Sequence, residues 1–337
     1  MNWGLKLSLE HPNLVQYEVE SILKKKVTWI SESLGLVNSE ITEMDYLAKS
    51  SAVVKYILVN PLTLGYDQLL NADPIDNFET CIDWIDDKKD PTFRVTHHHV
   101  GIHEDKSNGD AIERNIGSWI WNYRSHLKVD LKNPKFVFYV FSSPEISMMG
   151  WCYKEVPFSP ISARAPKHGP YFQGGNMKPR LSRIVVNLLQ PLPSVICDPF
   201  VGHGGIMREA ADQGSFCIGI EISKRVMREC LENNRYFGYE DRIAIIFADS
   251  LKPPLRRRGI NSIVSDPPYS IQTTTNGIGT EELIKRWLGL QQLGVTIVFT
   301  VPNTVMDQLP EGWSVDLDEL DYVHGGLTRR IRKVRRI

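Results

Sequence analysis

An acid, two prolines and a tyrosine stand together in the run Ser265-Asp266-Pro267-Pro268-Tyr269. The prolines fix the backbone and leave the carbonyl group of Pro267 without a regular hydrogen-bond partner. That carbonyl and the carboxylate of Asp266 can both accept hydrogen bonds from an exocyclic amine, which turns the nitrogen lone pair towards a methyl donor. Tyr269 adds a flat face on which an extruded base can stack. The run therefore predicts chemistry on an amino group of a base, and the alternative interpretation is a simple turn.

A glycine-rich run follows another acid, in Asp198-Pro199-Phe200-Val201-Gly202-His203-Gly204-Gly205. Glycines after a strand let the backbone approach a ligand closely and open the N-terminus of the next helix to it. A dinucleotide fingerprint would need a further glycine at the position of Met207. An acid before compact glycines suits S-adenosylmethionine instead, because it can engage the amino group of the methionine part. The alternative is a tight turn between a strand and a helix.

Two more acids, Glu221 and Asp249, stand where the next two predicted strands end. Glu221 comes 23 residues after Asp198, and an acid about 20 residues beyond a glycine loop is placed to accept hydrogen bonds from ribose hydroxyls. Asp249 can accept one from an adenine amino group. Either residue alone could be a solvated acid, but the pair at successive strand ends favours a nucleoside-containing cofactor.

Alternating strands and helices position these acids. In the second half we predict strands at 194–198, 217–220, 243–247, 262–265 and 295–301, and helices at 205–213, 224–237 and 281–290. Repeated β-α units predict an open parallel sheet with helices on both faces, and ligands bind beyond the carboxyl ends of its strands. In the first half we predict strands at 5–9, 53–59, 93–100 and 136–141, and helices at 14–26 and 111–121. That mixture indicates small α+β modules.

The composition is that of an ordinary globular chain, with 337 residues, 42% hydrophobic and 23% charged. Its five scattered cysteines and the lack of a signal pattern or a long apolar run predict a soluble, cytosolic protein. The net charge is −1, but residues 156–197 and 322–337 together carry eleven basic residues and no acid. Segregated charge of this kind can form a phosphate-binding surface. A solvated linker and a flexible tail are an equally good interpretation.

Asp266-Pro267-Pro268-Tyr269 resembles the catalytic motif of S-adenosylmethionine methyltransferases that act on amino groups. The run from Gly169 to Arg183 resembles the segment before the methyltransferase domain of archaeal tRNA guanosine N2-methyltransferases acting at position 10. The first half is similar to their ferredoxin-like and THUMP arrangement through Glu10-His11-Pro12, Asp90-Pro91-Thr92-Phe93 and Val129-Asp130-Leu131-Lys132-Asn133-Pro134. The resemblance covers essentially the whole chain. It implies that the first half holds the acceptor end of tRNA and the second half methylates a guanine.

The resemblance also implies roles for individual residues. The catalytic set is Asp266, Pro267, Pro268 and Tyr269. The cofactor-binding set is Tyr171, Phe172, Asp198, Phe200, Gly202, Gly204, Gly205, Glu221, Ile222, Asp249 and Ser250. The RNA-binding set comes instead from the two basic stretches without acids, and it is Arg164, Lys178, Arg180, Arg329, Arg330 and Arg332. No metal site is expected.

The fold class expected is α/β, with a C-terminal Rossmann-like class I methyltransferase domain and N-terminal α+β modules. We expect a ferredoxin-like region at 1–64, a THUMP-like RNA-binding domain at 65–156, a linker at 157–180 and the methyltransferase domain at 181–337. The expected reaction is S-adenosylmethionine-dependent methylation of the exocyclic N2 of a tRNA guanosine, at position 10, giving m2G or m2,2G. The partners implied are tRNA and a small zinc-binding activator that some relatives use. The alternatives are another tRNA guanosine, an amino group in DNA, or a non-catalytic tRNA-binding subunit.

Several residues leave alternatives open. Ser270 stands where the family usually has a glycine after the tyrosine, and residues 273–277 do not follow the family pattern. Val201 and His203 are unusual residues for the glycine loop. His97-His98-His99 with His103 could suggest a metal, but a polar strand edge is the better interpretation. Trp119 and Trp121 are interpreted as core or partly buried aromatics rather than a stacking platform. Residues 327–337 are interpreted as a final edge strand guarded by charge, as an RNA contact, or as both.

Overall fold

The structure is a computed structural model that describes residues 1–71, 75–84, 91–100, 108–172, 174–255, 260, 262–269, 279–306 and 308–337. It divides into two compact units. The first contains Met1–Leu9, Lys25–Lys49 and Val54–Pro157, and the second contains Glu10–Lys24, Ser50–Val53 and Phe158–Ile337. The chain therefore passes between the units five times.

The described strands are β1 (Asn2–Leu7), β2 (Thr28–Trp29), β3 (Leu34–Asn38), β4 (Val54–Leu64), β5 (Thr92–His99), β6 (Lys128–Val129), β7 (Phe136–Ser142), β8 (Ser147–Glu155), β9 (Val195–Asp198), β10 (Phe216–Glu221), β11 (Ile243–Phe247), β12 (Ser262–Ser265), β13 (Thr296–Pro302), β14 (Trp313–His324) and β15 (Leu327–Arg336). The described helices are α1 (Pro12–Leu23), α2 (Ile41–Ser50), α3 (Phe78–Ile82), α4 (Gly109–Tyr123), α5 (Ser159–Ser162), α6 (Pro179–Asn187), α7 (Gly205–Asp212), α8 (Lys224–Tyr236) and α9 (Thr280–Gly289).

One sheet of the order β2-β3-β1-β4-β8-β7-β5-β6 runs through the first unit. Its pairs are antiparallel except that β5 runs parallel to β6 and β7. The predicted modules 1–64 and 65–156 both contribute strands to this sheet, and the boundary between them coincides with the end of β4. The division into a ferredoxin-like and a THUMP-like module stays a prediction.

Helix α4 covers this sheet with the residues that its apolar spacing predicts. Ile112, Ile116, Trp119 and Ile120 are all buried, because residues three and four apart share one helix face. Trp119 packs edge to face on Phe78. The interpretation of Trp121 as a core aromatic is wrong, since it lies on the opposite face and is 52% exposed.

The histidines of β5 alternate across the strand as a two-residue period requires. His97 Nε2 lies 2.6 Å from Ser142 Oγ, and His99 Nδ1 lies 3.3 Å from the same hydroxyl. Burial lowers the pKa of His97 to about 4. Within the described part of the chain no three His, Cys, Asp or Glu side chains are grouped to hold a metal ion, and His103 and Asp90 lie outside that part.

The second unit has a sheet of the order β11-β10-β9-β12-β13-β15-β14. The first five strands are parallel, and β15 runs antiparallel to both β13 and β14. The interpretation of residues 327–337 as an edge strand is wrong, because β15 is paired on both sides and β14 is the edge. Helices end or begin where the sequence predicts them to within about three residues.

Helix α1 belongs to this second unit, where it packs against α6 and β14. The buried carboxylate of Glu18 accepts hydrogen bonds from the Ser51 hydroxyl (2.7 Å), the Ala52 N–H (2.9 Å) and the Asn187 side-chain amide (2.7 Å). Burial raises the pKa of Glu18. The predicted linker at 157–180 lies largely in this unit, and it contains α5 and the proline that begins α6. No helix in the described residues is long and apolar enough to cross a membrane.

Candidate active site

The direction of strand order reverses between β9 and β12, the neighbouring strands at the centre of the second sheet. Loops leaving two such strands diverge, which opens a crevice at their carboxyl ends. A cavity of about 730 Å³ lies there, within the range of small-molecule sites. It is lined by the four predicted strand-end acids Asp198, Glu221, Asp249 and Asp266.

The glycine loop forms one wall of this cavity. Gly202 has a φ of +50° and Gly204 a φ of +77°, conformations that L side chains rarely adopt. A Cβ at Gly202 would meet no atom within 4 Å, and since Gly202 lines the cavity, it would take space from a ligand. A Cβ at Gly204 would lie 2.8 Å from Cys230 Sγ. The first glycine keeps the cavity open, and the second lets the loop pack onto α8.

Asp198 joins the two central strands. Its Oδ1 accepts hydrogen bonds from the Ser265 hydroxyl at 2.6 Å and from the Phe200 N–H at 3.0 Å. The residue is 2% exposed, and burial raises its pKa to about 7 against the effect of these hydrogen bonds. The carboxyl group thus fixes both the loop after β9 and the end of β12.

Glu221 ends β10 and Asp249 comes two residues after β11, and both are half-buried. Glu221 Oε1 accepts from the Ser223 N–H at 2.8 Å, and Asp249 Oδ1 accepts from the Leu251 N–H at 2.9 Å. Burial raises the pKa of Glu221, while backbone N–H groups, including that of Gly202, act in the opposite direction. Carboxylates held in this way offer a nucleoside fixed acceptors at two neighbouring positions.

Asp266 and Tyr269 form a hydrogen-bonded pair in the lining of the same cavity. The Tyr269 hydroxyl and the Thr300 hydroxyl both contact Asp266 Oδ1, and the two hydroxyl oxygens lie 2.7 Å apart. Arg329 Nη2 lies 3.8 Å from Asp266 Oδ2. Burial raises the pKa of Asp266, and the Arg329 charge opposes it. Both hydroxyls therefore contact the same carboxylate oxygen, Oδ1, and neither contacts Oδ2.

Thr300 is a site residue that the sequence does not indicate, and Arg329 is one that the sequence indicates only for RNA binding. Ser265 of β12 pairs with Phe299 of β13, so the register places the next residues, Asp266 and Thr300, side by side. The pairing of strands would have identified Thr300. The position of Arg329 in a run of basic residues suggests RNA binding, but its side chain is buried beside Asp266.

Most of the predicted cofactor residues line the cavity, but three do not. Phe200, Gly202, Gly205, Ile222 and Ser250 line it together with the acids, and so do Pro267, Pro268 and Tyr269. Tyr171, Phe172 and Gly204 are not among the lining residues. Tyr171 is instead held by its backbone, which exchanges hydrogen bonds with the Asn233 side chain (3.1 and 3.0 Å), and Phe172 is 60% exposed. The segment contributes through residues 174–177 instead, and Gln173 lies outside the described residues, as do residues 270–278.

Four of the six arginines and lysines predicted to bind RNA are held inside the fold. Arg164 forms two 2.8 Å hydrogen bonds with Glu209, and Arg180 donates to the Ala52 carbonyl and pairs with Glu10. Arg329 is 4% exposed and Arg332 is 3% exposed. These four guanidinium groups already have partners, so a phosphate would have to displace them.

The two remaining residues of that set differ from each other. Lys178 is exposed. Arg330 is partly exposed and its Nε lies 3.3 Å from Asp318 Oδ1. Of the six, Lys178 is the residue that best retains the predicted role in RNA binding.

Comparison with known proteins gives one family match and several similar chains. Residues 166–289 match the family model described as UPF0020, RMKL-like, methyltransferase domain. The chain is 26% identical to a tRNA (guanine(10)-N2)-dimethyltransferase of Methanothermobacter thermautotrophicus, over all of both chains. Among solved structures it is similar to TrmN from Thermus thermophilus (TM-score 0.56, 18% identity, all of both chains). It is also similar to a methyltransferase complexed with SAH (TM-score 0.50, 12% identity, 98% of this chain and 97% of the other). These likenesses confirm the predicted α/β fold with a Rossmann-like methyltransferase domain.

Proposed function

We propose that the chain methylates the exocyclic N2 amine of a guanosine in tRNA, because it is similar to archaeal tRNA (guanine(10)-N2)-dimethyltransferases. The donor is S-adenosylmethionine, and the proposed target is position 10. The observation that carries the proposal is the position of Asp266. It directly follows a central strand at the switch point, and it lines one cavity together with the glycine loop and three further acids.

The residues of this cavity fit S-adenosylmethionine. The cofactor supplies an electrophilic methyl group when bound. Glu221 and Asp249 would accept hydrogen bonds from its ribose and adenine, since both carboxylates end neighbouring parallel strands. Gly202 leaves room for it, because a Cβ there would project into open space. Asp198 would face its amino group, although its Oδ1 is already engaged by Ser265 and Phe200.

The Asp266 loop is built to orient an amine. Both neighbouring hydroxyls contact Oδ1, which leaves Oδ2 and the carbonyl of Pro267 to accept the two N–H groups of the guanine amine. The nitrogen lone pair is then directed at the methyl group. The bound cofactor would supply the methyl group from its sulfur, and the surplus proton on the amine nitrogen would pass to Asp266 Oδ2 or to water. The Tyr269 ring, fixed by its hydroxyl, offers a face to the extruded base.

Mass spectrometry of nucleosides tests the proposal. A transcribed tRNA with guanosine at position 10, incubated with the protein and labelled S-adenosylmethionine, is expected to yield labelled m2G or m2,2G at that position. Asp266→Ala should slow transfer by at least about 10²-fold, the effect of a positioned acid–base group, with cofactor affinity within about twofold. Label at another guanosine would correct the position. No label would favour a non-catalytic tRNA-binding subunit, and near-normal turnover of the variant would remove Asp266 from the mechanism.

The wider setting of this activity is also proposed. The first unit is proposed to hold tRNA, which is supported by the similarity of the whole chain to tRNA methyltransferases. A small zinc-binding activator is proposed as a second partner, and the cytoplasm as the location. If the purified chain reaches full activity alone, the activator is not needed.

A further inference from the structure

Arg329 of β15 lies against both members of the Asp266–Tyr269 pair. Its Nε donates to the Tyr269 hydroxyl at 3.3 Å, and its Nη2 lies 3.8 Å from Asp266 Oδ2. Nη2 also donates to the carbonyl of Gly175 at 3.5 Å, in the segment 174–177 that also lines the cavity. One side chain thus contacts the acid, the aromatic residue and the cavity wall.

A guanidinium group is suited to this position. Arg329 is 4% exposed, and a buried charge is stable only where charged and polar partners surround it. Its planar fork presents several N–H groups in fixed directions, whereas a lysine presents a single ammonium point. The fork can therefore fix the relative positions of Asp266 and Tyr269, which lysine could not do with one contact.

A second acid lies on the strand that pairs with β15 at the position of Arg329. Asp321 of β14 is directly opposite Arg329 in the strand register and is 4% exposed. Its Oδ1 lies 2.7 Å from Nδ1 of the buried His11, the residue before α1. Asn13 donates to the Leu320 carbonyl at 2.8 Å, so the start of α1 is fixed to the same stretch of β14. The Glu10-His11-Pro12 run thereby acquires a structural connection to the site.

We propose that Arg329 is a positioning residue, which holds the carboxylate of Asp266 and the hydroxyl of Tyr269 in one arrangement, with Asp321 opposite it in the strand register. The inference rests on the proposed methyl transfer for its effect on rate. The charge of Arg329 supports this role, because it lowers the pKa of Asp266, which burial raises. Without that charge the acid would more readily take up a proton and lose acceptor capacity towards an amine.

Kinetics of three variants test this role on the full chain with transcribed tRNA and labelled S-adenosylmethionine. Arg329→Met should lower kcat by about 10²-fold, the cost of a misplaced catalytic group, while KM for the cofactor changes by less than about twofold. Arg329→Lys should recover part of kcat, because it keeps the charge without the fork. Arg183→Met is the matched control, since Arg183 is a buried, ion-paired arginine of the same unit whose partners are Glu209 and Asp212. It should lower thermal stability and leave kcat near the wild-type value below the melting temperature.

A double-mutant cycle separates this inference from the proposed function. Unfolding midpoints of Arg329→Met, Tyr269→Phe and the double variant should be non-additive, because the two side chains share a contact. Non-additive midpoints in a chain that methylates no tRNA would support the positioning contact and overturn the function alone. Additive midpoints would overturn the inference, and so would a kcat of Arg329→Met no lower than that of the Arg183→Met control.

Discussion

The carboxyl group of Asp198 is buried and accepts two hydrogen bonds on one oxygen. Its burial makes the stability of the fold depend on pH. Its pKa is about 7 in the fold, against 3.8 for an ordinary aspartate. Between these values the folded chain holds a proton that the unfolded chain has released. The contribution of Asp198 to stability is therefore complete below pH 4, falls as the pH rises to 7, and is constant above it.

Asp198→Asn should remove this pH dependence. The amide oxygen can keep the hydrogen bonds from Ser265 and Phe200, and the side chain no longer ionises. Compared with wild type, the unfolding free energy of the variant should therefore gain up to about 4 kcal/mol between pH 4 and pH 7. Urea unfolding at a series of pH values measures the difference. Two curves that stay parallel across this range would contradict the raised pKa.

At the scale of the element, β15 shows why a basic run can belong to the interior. Its position between β13 and β14 brings Arg332 next to Asp318, with Nη2 3.0 Å from Oδ2, and Nη1 donates to the Met306 carbonyl at 2.7 Å. Arg335 lies 3.3 Å from Asp316 in the same way. The acids of β14 thus neutralise much of the charge that the sequence segregates into residues 322–337.

Replacing Arg332 by methionine should accordingly affect folding rather than RNA binding. We expect a loss of about 1.5–3 kcal/mol in unfolding free energy, the worth of a hydrogen bond between charged groups. The slope of tRNA affinity against salt should stay at the wild-type value. Lys178→Ala is the matched comparison, since an exposed lysine that binds phosphate would shallow the slope by about 0.7–0.9. Urea unfolding and a salt titration check both, and a shallower slope for Arg332→Met would restore its RNA role.

The sequence predicts some elements well because their signals are local. Strands β9 to β12 are short apolar runs with an acid at the end or within two residues of it, and β13 is an apolar run that ends at Pro302. Their alternation with amphipathic helices indicates a parallel sheet. Strand β14 has no such signal, since Asp316, Asp318 and Asp321 interrupt its apolar residues and only pairing with β15 gives these acids partners. Tyr269 and Asp266 could likewise be recognised from their run, whereas Thr300 and Arg329 join the site only through strand register.

At the scale of the whole molecule, the second unit is assembled from distant parts of the chain. Helix α1 was predictable from its apolar spacing, but its partners α6 and β14 lie about 150 to 300 residues further on. Glu18 of α1 shows this, because its carboxylate accepts hydrogen bonds from Ser51, Ala52 and Asn187, which lie in two other parts of the chain. A boundary drawn along the sequence at 157 or 181 cuts through this unit.

A chain of residues 158–337 should therefore fold poorly on its own. It lacks α1, which leaves an apolar face of α6 uncovered and the buried Asn187 amide without its Glu18 acceptor, a loss of about 1–3 kcal/mol from the amide alone. We expect a broad urea transition and weak cofactor binding by calorimetry. Adding a peptide of residues 10–24 should sharpen the transition. A cooperative transition at the midpoint of the full chain would show that α1 is dispensable.

The position of α1 in the sequence also determines how long the helix waits for its packing partners during synthesis. The helix is synthesised before either of its partners, and β14, onto which His11 and Asn13 fix it, is completed about 300 residues later. At roughly 5–20 residues per second, this interval lasts roughly 15–60 s. The apolar face of Leu14, Val15 and Val19, buried in the finished fold, lacks both partners until α6 emerges, and it lacks β14 for the whole interval. The nascent chain thus exposes an apolar surface to which chaperones can bind, and that surface is fully covered only when β14 emerges.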